Sequence, residues 1–250
     1  MLNDFNTSFV ARLRDNDEAA WFELWETFGP VLRGQLSKWG QGRIGVETVR
    51  DLSQETLAAL SGSIERYDPS RGARFSTWLL AIAKHTLGDE IDRRMALKRG
   101  AGKRATSFDE AWMHADAQLG ADEKYEAAMF RAKVEAAIRR VEHDSDFQDF
   151  EIFRMRVLEQ RPGKEVAEAV GVSEPTVSRR LARVRDALRE RLGETIRKYS
   201  FTDDELAEME RNGLSPDPKR ESDAMFDDAV AEIFLTQQEL RRRDDSLWTE

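Results

Sequence analysis

Cysteine is absent from the 250 residues, and only three histidines are present. Without thiols the chain can form neither disulfide bonds nor thiolate metal sites. No apolar run approaches the roughly 18–20 residues that are needed to cross a bilayer. The first residues also lack the basic and apolar segments of a signal peptide. These absences predict a soluble, cytoplasmic protein that does not contact a membrane.

Motifs that would support an enzyme are missing as well. The sequence has no glycine-rich phosphate-binding loop, no histidine pair at helical spacing and no nucleophile elbow. His85 has no second histidine or carboxylate at a spacing that suits a metal ion. The sequence therefore predicts no catalytic residue, no metal site and no cofactor, and an enzyme is rejected as an interpretation.

Negative charge is concentrated at the C-terminal end of the chain. The formal net charge is −9, from 39 basic and 48 acidic side chains. Residues 201–250 hold 6 of the basic and 15 of the acidic side chains, so they carry the whole excess. An acidic protein would ordinarily be a poor candidate for nucleic-acid binding. Here the low pI of the whole chain comes from residues 201–250, whereas residues 1–200 carry no net formal charge. Nucleic-acid binding by residues 1–200 therefore has to be judged separately.

Apolar residues recur at helical spacing through most of the chain, and alternating runs of β-branched residues are absent. This pattern predicts an all-α protein. Periodicity fails over residues 98–124, where glycines and mixed charges predict a flexible linker. The predicted organisation is a helical domain over residues 1–97, the linker, a second helical domain over residues 125–192 and an acidic C-terminal extension over residues 193–250.

Three residues of the first domain are candidates for the start of a helix. Asp17, Asp51 and Ser76 each precede an apolar periodic segment. Short side chains with an oxygen acceptor are favoured at this position because they accept a hydrogen bond from a free backbone N–H. We therefore expect these three residues to cap three successive helices.

The most specific local pattern begins at Gly163 and predicts a helix-turn-helix. Gly171 can adopt the left-handed conformation that ends a helix. Ser173 can cap the next helix, and Pro175 falls in its first turn, where a missing N–H is tolerated. In DNA-binding proteins the second helix of such a unit enters the major groove. The residues predicted to contact DNA are Ser173, Thr176, Ser178, Arg179, Arg180 and Arg183. The alternative is an ordinary helical hairpin with a solvated basic face.

Four segments of the first domain occur in a characteristic order. They are Asp51-Leu52-Ser53-Gln54-Glu55, Tyr67-Asp68-Pro69-Ser70-Arg71-Gly72, Arg74-Phe75-Ser76-Thr77-Trp78 and Asp89-Glu90-Ile91-Asp92-Arg93-Arg94. In this order and spacing they resemble the second conserved region of bacterial sigma factors, above all those of the extracytoplasmic-function (ECF) type. The segment 163–192 resembles the fourth sigma region. The likeness covers roughly residues 10–97 and 125–192.

The resemblance implies a role for each segment. Asp51, Gln54 and Glu55 resemble the face that docks on the clamp helices of the largest subunit of core RNA polymerase, and the helix-turn-helix would read the upstream promoter element. Melting of the minus-ten element costs a few kcal/mol per unstacked base, which stacking on aromatic side chains can recover. The candidates for base trapping are Tyr67, Phe75 and Trp78, although such residues are often core. The candidates for contact with the DNA backbone or base edges are Arg71, Arg74, Lys84, His85, Arg93 and Arg94.

The sequence as a whole predicts a sigma factor that binds core RNA polymerase and promoter DNA. The alternative is a stand-alone helix-turn-helix regulator that does not bind polymerase. For the acidic extension, one hypothesis is a restraint that folds back on the sigma domains, and the other is a solubilising, partly disordered segment. Regulation by a separate anti-sigma factor is a further possibility. The stretch 159–164 departs from the family because no aromatic residue leads into the helix-turn-helix.

Overall fold

The computed structural model describes residues 4–40, 43–68, 74–98, 123–215, 217 and 222–248. All regular structure in these ranges is helical, which confirms the all-α prediction. The ten α-helices are α1 (Asp4–Arg14), α2 (Glu18–Gly40), α3 (Val46–Ser63), α4 (Phe75–Lys98), α5 (Glu123–Asp144), α6 (Phe147–Phe153), α7 (Gly163–Val170), α8 (Glu174–Tyr199), α9 (Asp203–Arg211) and α10 (Asp223–Trp248). Within the described ranges, none of them is both long and apolar enough to span a membrane.

Packing divides the chain into a first unit, Met1–Met129, and a second unit, Phe130–Ser246. The boundary falls inside α5, so the start of this helix belongs to the first unit. The described residues between 193 and 246 belong to the second unit. Of the linker expected over residues 98–124, only the two ends fall within the described residues.

The first unit is a helical bundle in which α2, α3 and α4 pack on one another. The buried stripe of α2 is formed by Leu24, Phe28, Leu32 and Leu36. Their i, i+4 spacing places all four on one face of the helix. The bundle therefore follows directly from the apolar periodicity of the sequence.

The three expected N-caps have different outcomes. The Asp17 carboxylate accepts hydrogen bonds from the backbone N–H groups two and three residues further on, at 2.9 and 3.1 Å, as predicted. Asp51 is not a cap, because α3 begins five residues before it. Ser76 is not a cap either, since it lies in the first turn of α4 and its hydroxyl donates to Glu126 at 2.9 Å. In both failures the helix starts earlier than the polar residue suggested.

The second unit has one hydrophobic core that includes the C-terminal extension. The apolar stripe of α8, Val177, Leu181, Val184 and Leu188, is buried in it. The extension adds fully or nearly buried side chains to the same core: Met209, Leu214, Phe226, Val230, Ala231 and Ile233. Within the described residues the extension is thus a packed, helical part of the second unit.

Candidate DNA and protein interfaces

Helices α7 and α8 form the predicted helix-turn-helix. Gly171 ends α7 in the left-handed conformation, with φ 70° and ψ 34°. Only glycine adopts this region without strain from a Cβ atom, which explains why the turn can be so short. Ser173 occupies the N-cap position of α8, but its hydroxyl contacts the Thr176 hydroxyl at 2.9 Å and not the backbone.

Five of the six candidate DNA-binding residues lie on one side of α8 by helical spacing, and we call this side the basic face: Ser173, Thr176, Arg179, Arg180 and Arg183. Ser178 lies on another side of the helix. Ser173, Ser178 and Arg179 are exposed, and Thr176 is half-buried. The Arg183 side chain is 65% exposed and the Arg180 side chain only 25%. The structure therefore places five of the six on the basic face but leaves Arg180 much less exposed to a ligand than Arg183.

Two residues of α6, which sequence reasoning missed, hold the arginines of the basic face. The Asp149 carboxylate lies 3.3 Å from Nη1 of Arg180 and 3.0 Å from Nη2 of Arg183. The Gln148 side-chain oxygen accepts a second hydrogen bond from Nη1 of Arg180. No local sequence signal marks these partners, because they stand more than thirty positions before the arginines.

Two further arginines of α8 face the C-terminal extension. The Arg185 guanidinium makes a bidentate pair with Asp227, at 2.9 and 2.7 Å, and a third contact with Asp223 at 2.8 Å. Arg189 also donates to Asp223 and lies over the ring of Phe226. Burial lowers the pKa of Arg185, but the hydrogen bond and charge of Asp227, with the charges of Asp223 and Asp186, together outweigh it, and the net pKa is raised. Arg185 is thus buried, because α10 covers it.

The expected polymerase-docking face lies on α3. Asp51, Gln54 and Glu55 are all exposed, whereas Leu52 and Thr56 point into the bundle. We call the three exposed residues the acidic face. Because they lie three and four positions apart, one partner surface can contact all of them.

The three aromatic candidates for base trapping lie in the core of the first unit. Tyr67, Phe75 and Trp78 are all buried. The rings of Tyr67 and Trp78 stack with centroids 4.5 Å apart, and Phe75 meets both of them edge-on or nearly so. No ring face is left for a base, so the structure corrects the sequence interpretation: this trio is a packed cluster and not a surface platform.

Most cationic candidates of the first unit already have a contact. Arg74 donates to Glu126 at 2.9 Å, and the Lys84 ammonium lies over the ring of Trp39. Nδ1 of His85 lies 3.2 Å from Asp89, a carboxylate one helical turn away that the sequence interpretation overlooked. Burial raises the pKa of Asp89, and the charge of His85 opposes this. Arg71 lies outside the described residues, and no metal-binding group of side chains occurs within them.

Arg93 and Arg94 share one buried carboxylate. Glu90 accepts from Nε of each, at 2.6 Å, and Arg94 also donates to the Thr48 hydroxyl on α3. Burial raises the pKa of Glu90, but the hydrogen bonds from Arg94 and Arg93 together outweigh it and lower the pKa. The Arg93 side chain remains two-thirds exposed, so it is the better placed of the two for an external contact.

Comparison with known proteins identifies the two units. Residues 24–96 match the family model described as Sigma-70 region 2, and residues 147–188 match that described as Sigma-70, region 4. The chain is 34% identical over 83 residues to the ECF RNA polymerase sigma factor RpoE of Cereibacter sphaeroides. That match covers 32% of this chain and 44% of the relative. The chain therefore carries matches to Sigma-70 region 2 and Sigma-70, region 4, in that order, and part of it is similar to an ECF sigma factor.

Proposed function

We propose that this protein is a sigma factor that binds core RNA polymerase and directs it to specific promoters. The observation that carries the proposal is the presence of both interaction surfaces on one chain. The acidic face of α3 is exposed in a region 2 fold, and the basic face of α8 is exposed in a region 4 helix-turn-helix. A stand-alone regulator would need only the second of these.

Reconstitution with core RNA polymerase tests this function against a stand-alone regulator. We expect the purified chain to co-elute with core polymerase and to support transcription from a defined set of start sites in genomic DNA. DNA binding without any polymerase association would instead support the regulator. Sequencing of the transcript starts would also supply the promoter duplexes needed below.

The acidic face of α3 is proposed to dock on the clamp helices of the largest polymerase subunit. Asp51→Lys combined with Glu55→Lys is expected to weaken polymerase binding at least tenfold, because like charges juxtaposed across an interface cost several kcal/mol. Both side chains are exposed, so the fold should survive. Binding is measured by titration of labelled polymerase with the variant.

Glu65→Lys combined with Asp92→Lys is the matched control for this charge reversal. These two carboxylates are exposed on other elements of the first unit, and their reversal changes the net charge equally. Unchanged polymerase affinity in the α3 variant, or an equal loss in the control, would show that docking uses another surface.

The basic face of α8 is proposed to read the upstream promoter element. Arg183→Ala is expected to cost about 1–3 kcal/mol of binding to that element if the guanidinium contacts a guanine. A uniform loss on all DNA with a shallower salt dependence would assign Arg183 to phosphate instead. Arg197→Ala, an exposed arginine at the other end of the helix, is the control.

In the first unit, contact with the minus-ten element is proposed for the exposed cation Arg93, and also for Lys84, His85 and Arg94 at other positions of α4. Their existing contacts within α4 and with α2 and α3 fix their directions. Because the aromatic trio is buried, we do not assign base trapping to it. Arg74, whose guanidinium is engaged by Glu126, is proposed to serve the fold of the first unit.

The C-terminal extension is proposed to brace α8. Its helix α10 pairs with Arg185 and Arg189, which lie beyond the basic face, and leaves Ser173, Ser178, Arg179 and Arg183 exposed. A restraint that blocks DNA would have to cover those four residues. Support for a brace comes from the buried side chains that the extension adds to the core.

A further inference from the structure

Asp149 lies between two arginines of the recognition helix and is almost fully buried. Its side chain is 10% exposed, and its two oxygens lie 3.3 Å from Nη1 of Arg180 and 3.0 Å from Nη2 of Arg183. The two arginines stand three positions apart on α8, on the same side of the helix. One carboxylate therefore holds two cations that would otherwise repel each other.

Neighbouring contacts fix the position of this carboxylate before any ligand arrives. The Asp146 side chain caps α6 and accepts hydrogen bonds from the backbone N–H groups of Gln148 and Asp149, at 3.0 and 3.2 Å. The Gln148 side chain accepts from Arg180 and donates to the Val170 carbonyl at 3.3 Å, where α7 ends. Gln148 and Asp149 thus connect the start of α6, the end of α7 and the arginines of α8.

The arrangement leaves the two arginines unequal. Arg180 has one terminal nitrogen shared between Gln148 and Asp149 and is one-quarter exposed. Arg183 has one terminal nitrogen held by Asp149, and the rest of its side chain is two-thirds exposed. A bidentate contact with a guanine needs the guanidinium plane to be held within about 10–20° of the correct orientation. An arginine whose guanidinium is held by a carboxylate at one nitrogen meets this condition better than one whose side chain can rotate without restraint.

We infer that Gln148 and Asp149 are positioning residues that set the base specificity of the recognition helix by orienting Arg183 and locking Arg180. The inference rests on the proposed reading of the upstream element by α8. Asp149 repels DNA phosphates, so it lowers non-specific affinity while it improves discrimination. Loss of its charge is therefore expected to strengthen binding to any DNA and weaken the preference for the correct one.

The variant Asp149→Asn tests this inference in the full chain bound to core polymerase. The probes are a promoter duplex found by transcript mapping and the same duplex with its upstream element scrambled. We expect the ratio of the two affinities to fall by roughly tenfold, as for loss of one good base contact. We also expect the salt dependence on the scrambled duplex to steepen by up to about one phosphate contact. Asp149→Glu, which keeps the charge, should recover part of the discrimination.

Asp144→Asn is the control for the change in net charge. Asp144 belongs to the same unit but pairs with Arg140 and Arg191, away from the basic face. The Asp144→Asn variant should leave the ratio of the affinities for the two duplexes unchanged. If Asp149→Asn does not fold, as judged by circular dichroism, Gln148→Ala takes its place, since it frees Nη1 of Arg180 from one partner and keeps the buried carboxylate. The expected loss of discrimination is then smaller but in the same direction.

Two results would overturn the inference. One is a folded Asp149→Asn protein, or its Gln148→Ala replacement, with the affinity ratio and salt dependence of the wild type. The other is an equal change in Asp144→Asn, which would reduce the effect to net charge. A wild-type protein that fails to bind core polymerase, or that does not distinguish the two duplexes, would sink the proposed function itself before any variant is compared.

Discussion

Glu205→Gln is expected to lower the free energy of unfolding of the second unit by about 3–5 kcal/mol, the cost of removing one partner from a buried ion pair. Glu205 and Lys133 are both nearly inaccessible, and Oε1 lies 3.7 Å from the Lys133 ammonium. The other carboxylate oxygen accepts hydrogen bonds from the backbone N–H groups of Phe201 and Thr202, at 2.8 and 3.0 Å. Glutamine can keep those bonds but not the charge.

The chain offers a clean measurement of this effect. Five of its six tryptophans precede residue 130, and the sixth, Trp248, is the last residue of α10. Urea unfolding followed by tryptophan fluorescence therefore reports chiefly on the first unit, while circular dichroism reports on both. We expect only the part of the circular dichroism transition that belongs to the second unit to shift in Glu205→Gln.

The charge on Lys133 should account for most of the loss. Adding Lys133→Met to Glu205→Gln removes the buried ammonium and should restore much of the stability, because an apolar replacement of similar volume avoids the desolvation cost. Glu232→Gln, an exposed glutamate on α10, should change stability by no more than about 0.5 kcal/mol. Failure of Lys133→Met to rescue the first variant would assign the loss to the capping hydrogen bonds of Glu205.

The parts of the fold that the sequence predicts are those governed by local rules. Leucine and valine spacing along α2 and α8 is visible in the sequence and is found in the core. Gly171 predicts a residue with positive φ, because glycine has no Cβ atom and adopts the left-handed conformation more easily than any other residue. The acidic face of α3 follows from helical spacing. Leu52 and Thr56 lie on the inward side of the helix, so Asp51, Gln54 and Glu55 lie outside.

Contacts between distant segments were missed because nothing local encodes them. Arg185 has the same residue type as Arg183, two positions earlier, yet one is buried under α10 and the other is exposed. Two positions apart, they lie on different sides of α8, and Asp223 and Asp227, some forty residues later, pair with Arg185 on its side. Aromatic residues such as Tyr67, Phe75 and Trp78 are typical both of base-stacking surfaces and of hydrophobic cores. Which of the two they form depends on the packing of the whole bundle.

Deletion of residues 201–250 is the experiment that separates a brace from a restraint. The truncated chain loses Glu205, Met209, Leu214, Phe226, Val230 and Ile233 from the interior of the second unit. Burial of each large apolar side chain is worth about 1.5–3 kcal/mol, and a whole domain is stable by only about 5–15 kcal/mol. We therefore expect the second unit to melt at a much lower temperature and promoter affinity to fall with it. A restraint predicts the opposite sign, with a stable second unit and tighter DNA binding.

A smaller change keeps this test decisive if the truncated protein does not fold. Asp223→Ala combined with Asp227→Ala leaves the apolar contacts of α10 in place but removes the carboxylates of Arg185 and Arg189. As a brace, α10 then holds two poorly paired buried arginines, and the second unit should lose about 3 kcal/mol or more with no gain in DNA affinity. As a restraint, α10 should detach and free both arginines to contact phosphates, so promoter affinity should rise and its salt dependence should steepen. Thermal melting and DNA titration of one protein preparation distinguish the two, because weakening a brace lowers stability without raising DNA affinity, whereas releasing a restraint raises DNA affinity.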